Sequence, residues 1–386
     1  MVPKPKAGSH VKEGVGGGST GSPRSSVVSK PTTRIRLARP DVGEAELAEI
    51  AAVLETGQLT MGAKVAELES LLAAAAGTRH AVAVSSGTAA LHVAVLALGI
   101  GAGDEVLVPA YTFPATANVV ALAGARPVLV DVDPVTMTID PEDAARRVTP
   151  RTRAILAVHL FGRPAPLERL PDLPLLEDAA GALGGAHLGR PCGSLGVAGC
   201  FSFHPRKVVT TGEGGAVTTD DAELAERVRS LRHHGWSPSD RYDDMPAPGL
   251  NYRLSDVLCA LGIPQLRRLE ELLVARERVA AAYEERLAGL DLVLPRADPG
   301  DRHGRQAYVI QLDRRDEAIE ALRERGIQCQ IGTYALHRLG AYRDQGSFPG
   351  ADAAFERALA LPIHNRLGDE DLDQVAEVLD KIVSHH

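Results

Sequence analysis

The stretch HAVAVSSGTAALHVAVLALG, residues 80–99, joins a short apolar run to a longer apolar segment that begins with glycine and threonine. The first part has the length and composition of a buried strand, and the second is long enough for a helix. The same alternation returns in DEVLVPA (104–110) and ATANVVALAGA (115–125), and again in PVLVDV (127–132) and DPEDAARRV (140–148). Apolar strands separated by helices are typical of a parallel sheet covered on both faces. We therefore predict an α/β fold with a mostly parallel central sheet between helices.

The composition changes along the chain, and these changes predict three regions. Residues 1–33 are rich in Gly, Ser and Pro, and such a segment buries too little apolar surface to fold, so we expect a flexible tail. Residues 34–270 carry the strand–helix alternation and would form a large domain that begins with a helical arm at 40–56. The pattern then becomes helical, with a break near Gly262–Pro264, and residues 271–386 would form a smaller C-terminal α+β domain.

The overall composition excludes several classes of protein. The chain has 386 residues, a formal net charge of -8 and only 4% aromatic residues, which argues against a nucleic-acid-binding surface. It has no long uninterrupted apolar stretch, so we predict no membrane span. Its four cysteines show no CxxC spacing, which predicts free thiols rather than disulfides or a metal site. With no apolar signal segment, we expect a cytoplasmic protein.

Lysine is rare in this chain, and the position of one lysine is informative. The sequence contains seven lysines, four of them in the first 33 residues, whereas most other basic positions are arginine. The segment SFHPRKVVTTGEGG, residues 202–215, places Lys207 in a short glycine-rich loop. Arginine does not lose its proton in proteins, whereas the lysine amine can do so. Lys207 is therefore a candidate to condense with an aldehyde as a Schiff base.

Three other stretches supply groups that could surround the same ligand. In SSGTAAL, Gly87 and Thr88 open a helix after a strand, where free backbone N–H groups attract phosphate, and the Ser202 hydroxyl could add a donor. In PLLEDAAG, an apolar strand ends at Asp178, which places a carboxylate at the ligand-binding edge of the sheet. In AYTFPAT, Phe113 could stack on a flat ligand. Taken singly, these residues could equally be a helix cap, an ion pair and a core aromatic.

A phosphate-binding turn, a carboxylate, a lysine and a stacking ring together describe a site for pyridoxal phosphate (PLP). The carboxylate would keep the pyridine nitrogen protonated, which makes the ring an electron acceptor. The lysine would hold the aldehyde and then move a proton between carbon atoms of the substrate. The combination therefore favours PLP more strongly than any of its parts.

The motifs GT, YTF, ED, SFHPRK–TTGEGG and GLNYRLSD occur in an order that resembles the DegT-type (DegT/DnrJ/StrS) aminotransferase family, from about Arg39 to the C-terminus. Members of that family are fold-type-I PLP-dependent transferases that aminate keto-sugars, mostly nucleotide-linked ones. The resemblance implies that Lys207 forms the Schiff base, that Asp178 pairs with the pyridine nitrogen and that Phe113 stacks on the ring.

The resemblance also assigns the remaining site residues. It implies that Gly87, Thr88 and Ser202 bind the phosphate, and that Asn251 reaches the phosphate in the neighbouring subunit, which requires a homodimer with shared active sites. The groups that could contact the acceptor, each of which could also be structural, are Arg253, Tyr334 and His337.

Two features depart from the family pattern. The family often has Gln three residues after the aspartate, in contact with the phenolic oxygen of the cofactor, but this chain has Gly181 there. One cofactor hydrogen bond is therefore missing, or it comes from water or another side chain. The connection RPAPLERLPDLP, residues 163–174, is also short and rich in proline, which leaves room for little more than a helical turn.

The predicted function is a ping-pong transfer of an amino group from glutamate or glutamine to a keto-sugar, with a keto-cyclitol as an alternative acceptor. A PLP-dependent sugar dehydratase ranks lower, because the dehydratases that this chain resembles carry histidine in place of the lysine. A third alternative is a non-catalytic PLP-binding sensor. We predict small-molecule substrates, with neither nucleic acid nor membrane as a partner.

Overall fold

A computed structural model of the protein describes residues 33–237 and 244–384. The predicted tail, residues 1–33, lies outside these residues except for Thr33. The helices are α1 (Glu44–Thr56), α2 (Ala63–Ala76), α3 (Gly87–Ala97), α4 (Ala115–Leu122), α5 (Pro141–Arg147), α6 (Ala222–Arg232), α7 (Asp256–Arg267), α8 (Leu269–Arg286), α9 (Arg315–Glu324), α10 (Pro349–Arg357) and α11 (Asp369–Ser384). In the described part of the chain, none of these helices is long and apolar enough to cross a membrane.

The strands belong to one large sheet and several small ones. They are β1 (His80–Val84), β2 (Glu105–Pro109), β3 (Tyr111–Thr112), β4 (Arg126–Val130), β5 (Thr152–Val158), β6 (Leu175–Asp178), β7 (Ala186–His187), β8 (Arg190–Pro191), β9 (Ala198–Ser202), β10 (Gly215–Thr219), β11 (Tyr308–Gln311), β12 (Gln330–Ile331), β13 (Tyr334–Ala335) and β14 (Ala358–Leu361). The large sheet has seven strands in the order β1-β10-β9-β6-β5-β2-β4. All neighbours from β9 to β4 are parallel, and only β10 runs antiparallel to both of its neighbours. The predicted mostly parallel sheet is confirmed.

Helices cover both faces of this sheet, and strand β1 shows how. Val82 and Val84 are buried in one hydrophobic cluster with residues of α3 and α6. Ala81 and Ala83, which point to the opposite face, are buried in another cluster with α2 and α7. The strand is therefore apolar from Ala81 to Val84, because neither face meets water there.

A smaller lobe follows the large one and has its own core. Strands β11, β14 and β12 form an antiparallel sheet that packs with α9 and α11. The first half of α8 contributes Leu272 and Leu273 to the core of the large lobe, whereas its second half contributes Val279 and Tyr283 to that of the small lobe. Ile35 also packs in the small-lobe core, although the sequence assigned residues from 34 onward to the large domain.

Three local predictions had different outcomes. The predicted break near Gly262–Pro264 is wrong, because α7 continues through Pro264 and the chain bends only at Arg268. Gly262 has a packing role instead, since a Cβ at this position would lie 2.8 Å from Thr211 Cγ2. The short crossover between β5 and β6 is confirmed, because the chain forms only two 3₁₀ turns there. The prediction of free thiols is also confirmed, since the four cysteines are buried and unpaired.

Glu177 on β6 fixes the sheet beneath the predicted site. Its carboxylate is fully buried and accepts hydrogen bonds from the backbone N–H groups of Gly193 at 2.6 Å, Leu195 at 2.7 Å and Gly196 at 2.7 Å. His159 Nε2 lies 2.8 Å from the same carboxylate. Burial alone would raise the pKa of Glu177, but His159 and the backbone N–H groups hold that pKa below its ordinary value. The carboxylate therefore stays charged and anchors the loop 193–196 to β6.

Replacing Glu177 by glutamine should destabilise the fold, because the new amide would place N–H donors against backbone donors. We expect Glu177→Gln to lower the free energy of unfolding by about 3 kcal/mol, measured by urea titration. The control is Glu223→Gln, which removes an exposed carboxylate 3.9 Å from Arg227. Equal unfolding midpoints for the two variants would contradict the anchoring role.

Candidate active site

Several predicted site residues meet at one edge of the large sheet. Asp178 ends β6 and Ser202 ends β9, and these two strands are parallel neighbours in which Asp178 lies opposite Cys200. Helix α3 begins beside the end of β9, since a Cβ on Gly87 would lie 2.7 Å from Ser202 Cβ and 3.1 Å from Ser202 Oγ. Glycine at position 87 thus allows the first turn of α3 to approach Ser202.

The first turn of α3 offers free backbone N–H groups. Ser86 caps the helix, because its Oγ accepts a hydrogen bond from Ala89 N at 3.0 Å and its carbonyl accepts one from Ala90 N at 3.0 Å. The N–H groups of Gly87 and Thr88 have no acceptor among the residues that the structure describes. They lie at the positive end of the helix dipole, where an anion such as phosphate is stabilised.

Lys207 and Asp178 interact in buried surroundings at this edge. Burial lowers the pKa of Lys207 to about 8, although the Asp178 carboxylate acts in the opposite direction. Burial also raises the pKa of Asp178 above its ordinary value, while its hydrogen bonds and the Lys207 ammonium oppose that rise. In the described part of the chain, Lys207 Nζ has no hydrogen-bond or ion-pair partner. A substantial fraction of this amine is therefore neutral, and so nucleophilic, near pH 8.

Thr116 orients the Asp178 carboxylate, and the sequence analysis missed it. The buried Thr116 Oγ1 donates to Asp178 Oδ2 at 2.8 Å and lies 3.1 Å from Thr112 Oγ1. Ala180 N donates to the other carboxylate oxygen at 3.2 Å. The only hint in the sequence is that Thr116 follows Phe113 within the same motif, which does not identify its partner.

Phe113 and Tyr334 lie side by side because the two lobes pair there. Strand β3 of the large lobe pairs antiparallel with β13, so that Tyr334 lies opposite Thr112. The ring of Phe113 is 61% exposed, and its centroid lies 6.3 Å from that of Tyr334 at an angle of 60°. Two accessible aromatic rings from different lobes thus meet next to the carboxyl end of β2.

The segment GLNYRLSD passes beside the start of α3. The Tyr252 carbonyl accepts a hydrogen bond from Ser85 N at 2.8 Å, just before the turn that would bind phosphate. Asn251 is exposed, and Arg253 Nη1 lies 2.7 Å from His233 Nδ1. These positions place Asn251 and Arg253 near the edge of the site.

His337 lies in a packed environment. Its Nε2 is 3.0 Å from Asp352 Oδ1 on α10, and its ring centroid is 5.0 Å from that of Phe348. These contacts explain its burial by packing alone. Contact with the acceptor therefore remains a prediction for His337.

The residues at this edge fit PLP. Gly87 lets the first turn of α3 approach the Ser202 hydroxyl, and the N–H groups of Gly87 and Thr88 have no acceptor in the described part of the chain. The amine of lowered pKa suits an aldehyde, and the carboxylate suits a protonated pyridine nitrogen. Each functional group of the cofactor thus has a chemical counterpart.

Comparisons with known proteins agree with this fit. The profile of the DegT/DnrJ/EryC1/StrS aminotransferase family matches residues 40–380. GDP-perosamine synthase of Caulobacter vibrioides is 38% identical over 366 residues, which cover 91% of this chain and 98% of that protein. The aminotransferase TlmJ from Streptoalloteichus hindustanus is 35% identical with a TM-score of 0.86, covering 91% of this chain and 99% of that one. Spr1654 from Streptococcus pneumoniae, solved in its PLP form, is 30% identical with a TM-score of 0.86, covering 90% and 98% of the two chains.

The family match spans most of the chain and includes every residue of the site described above. The fold and the presence of Lys207 and Asp178 at one sheet edge agree with that match. The chain therefore belongs to the DegT/DnrJ/EryC1/StrS aminotransferase family and is a PLP-dependent aminotransferase.

Proposed function

We propose that this enzyme moves an amino group from glutamate or glutamine to a nucleotide-linked keto-sugar by a ping-pong mechanism. The observation that carries the proposal is that the end of β6 with Asp178, the end of β9 with Ser202 and the first turn of α3 meet at one sheet edge, where burial lowers the pKa of Lys207 to about 8. The similarity to a GDP-perosamine synthase supports a nucleotide-linked sugar as the acceptor.

Each group at the sheet edge then has a role. When bound, PLP supplies an electron-withdrawing ring that stabilises negative charge on the carbon next to the amino group. Lys207 would hold the cofactor aldehyde and, once released, would carry a proton to and from the substrate carbon. Asp178 would accept a hydrogen bond from the pyridine nitrogen, and Thr116 would keep that carboxylate in position.

The other site residues would bind and orient the ligands. The N–H groups of Gly87 and Thr88 and the Ser202 hydroxyl would bind the phosphate, and Phe113 would stack on the ring. We retain three residues as acceptor-side candidates, namely Arg253, Tyr334 and His337.

Substitution of Lys207 tests this function directly. The holoenzyme should bleach on addition of glutamate or glutamine and then aminate a nucleotide-linked keto-sugar, followed by mass spectrometry. Lys207→Ala should lower turnover by at least about 1,000-fold, because no other amine replaces it. Lys381→Ala, which changes an exposed lysine of α11, is the control and should keep full activity.

Two outcomes would contradict the proposal. Full transamination by Lys207→Ala would remove the lysine from the mechanism. Product formation from a keto-cyclitol or a free keto-sugar alone would keep the mechanism and replace the acceptor class.

The lowered pKa of Lys207 predicts how PLP uptake depends on pH. Only the neutral amine attacks an aldehyde, so the rate at which the apoenzyme binds PLP covalently should rise through pH 8 and level off above it. A lysine with the ordinary pKa of 10.5 would still gain reactivity at pH 10. Stopped-flow absorbance between pH 6.5 and 10.5 measures this midpoint, with Lys207→Ala as the blank. A midpoint near 10.5 would show that burial does not lower the pKa of Lys207.

We further propose that the enzyme is a homodimer whose subunits share active sites. Leu47 and Leu54 on α1 are 67% and 58% exposed, and Leu59 and Met61 in the following connection are 47% and 41% exposed. Large aliphatic side chains in such positions are suited to an interface between two copies. Asn251 is exposed, and its side chain would complete the site of the partner.

Mixed dimers test the shared site. Lys207→Ala and Asn251→Ala should each be weakly active or inactive alone. In a dimer that combines them, one site would contain an intact Lys207 and receive an intact Asn251 from the other subunit. Co-expression should therefore restore about a quarter of the wild-type activity, because about half of the dimers are mixed and each has one complete site. Co-expression that restores nothing, with mixed dimers demonstrated by two affinity tags, would exclude sharing.

A further inference from the structure

Gln306 occupies the space that a side chain at residue 181 would fill. Gly181 follows Asp178 by three residues, and a Cβ built on it would lie 3.1 Å from Gln306 Oε1, 3.5 Å from its Cγ and 3.6 Å from its Cβ. These are the three nearest atoms to that position. On its other side, Gln306 Nε2 lies 3.4 Å from the carbonyl of Arg206, the residue before Lys207. The amide thus lies between the segment of Asp178 and the segment of Lys207.

Buried contacts fix the backbone that carries Gln306. Gly304 N donates to the Gly162 carbonyl at 2.7 Å, and a Cβ on Gly162 would lie only 2.9 Å from Arg305 N. The buried Arg276 Nη1 donates to the carbonyls of Arg305 at 3.1 Å and Gln306 at 3.3 Å. The side chain of Gln306 therefore projects from a segment that is held in place, rather than from a free loop.

The chemistry of PLP indicates what this amide would meet. On the pyridine ring, the phenolic oxygen is bonded to the carbon next to the one that carries the aldehyde. The phosphate arm is on the carbon at the other side of the aldehyde. With the nitrogen at Asp178, the aldehyde at Lys207 and the phosphate at α3, the phenolic oxygen faces the edge between the Asp178 and Lys207 segments. Gln306 lies between those two segments.

We propose that the Gln306 amide donates a hydrogen bond to the phenolic oxygen of the cofactor, and that residue 181 is glycine so that Gln306 can reach it. A primary amide has two N–H donors, and the long contact to the Arg206 carbonyl uses at most one of them. This inference rests on the proposed function, because it requires PLP in the orientation given above.

Removing the amide should change the titration of the bound cofactor. A donor at the phenolate stabilises negative charge next to the nitrogen that joins Lys207 to the cofactor, and so favours loss of the proton from that nitrogen. Without the donor, the pH midpoint of the cofactor absorbance change should rise by about half to one unit. The affinity for PLP should fall by about three- to tenfold.

The experiment compares spectrophotometric pH titrations of the holoenzyme and of Gln306→Ala. The control is Gln330→Ala, which removes another glutamine that contacts Arg206. Gln330 lies on β12, and its Oε1 accepts a hydrogen bond from Arg206 Nη1 at 2.6 Å. The expected result is a higher midpoint for Gln306→Ala and an unchanged one for Gln330→Ala. If Gln306→Ala does not fold, Gln306→Met keeps the side-chain length without the amide and gives the same readout.

A double variant tests whether a glutamine at residue 181 can replace the amide of Gln306. Adding Gly181→Gln to Gln306→Ala should return the midpoint toward that of the wild type. The φ angle at Gly181 is outside the left-handed region, and the nearest obstructing atoms belong to Gln306 itself.

The outcomes distinguish failure of the proposed function from failure of the assignment of Gln306. A wild-type protein that never binds PLP would refute the proposed function. PLP binding with the same midpoint in the wild type and Gln306→Ala would overturn the assignment of Gln306 alone. A double variant that keeps the raised midpoint would overturn the claim that Gly181 makes room for the amide.

Discussion

The site depends on the burial of the Lys207 amine beside the Asp178 carboxylate. Two opposite charges in water would each favour ionisation of the other, but here the loss of hydration is the larger effect for the lysine, whose pKa falls to about 8. The same loss of hydration raises the pKa of Asp178. The fold therefore brings an amine of lowered pKa and a carboxylate to the same sheet edge without an ion pair between them. Thr116 orients the Asp178 carboxylate, and Glu177 anchors the neighbouring loop 193–196 to β6.

Much of this arrangement is encoded locally, and the sequence indicated it. Continuous apolar strands predicted a covered parallel sheet, and a lone lysine among arginines predicted which loop would be reactive. The direction of β10 was not predictable, because a short apolar run has the same periodicity in a parallel and an antiparallel strand. Pro264 suggested a break, but packing around Gly262 keeps the helix continuous. Tertiary packing therefore outweighs the low helix propensity of proline in α7.

Groups that act through space were the ones that the sequence could not reveal. Thr116 is an ordinary helical threonine until its hydroxyl meets Asp178 across the sheet edge. Gln306 belongs to the small lobe by position in the chain, yet its side chain lies against Gly181 of the large one. The sequence showed that Gly181 replaces the glutamine found in the family. Only the structure showed that Gln306 lies beside Gly181. Sequence spacing therefore predicted candidates for the covalent chemistry, whereas the hydrogen bonds around those candidates required the structure.

Helix α8 places Leu272 and Leu273 in one hydrophobic core and Val279 and Tyr283 in the other. A helix transmits strain along its axis, so loosening either core frees side chains that stabilise the other. Separating the chain near residue 270 would therefore expose apolar surface on both fragments. An inserted linker or fusion partner is better tolerated at the exposed turn around Leu188 than at the apparent lobe boundary.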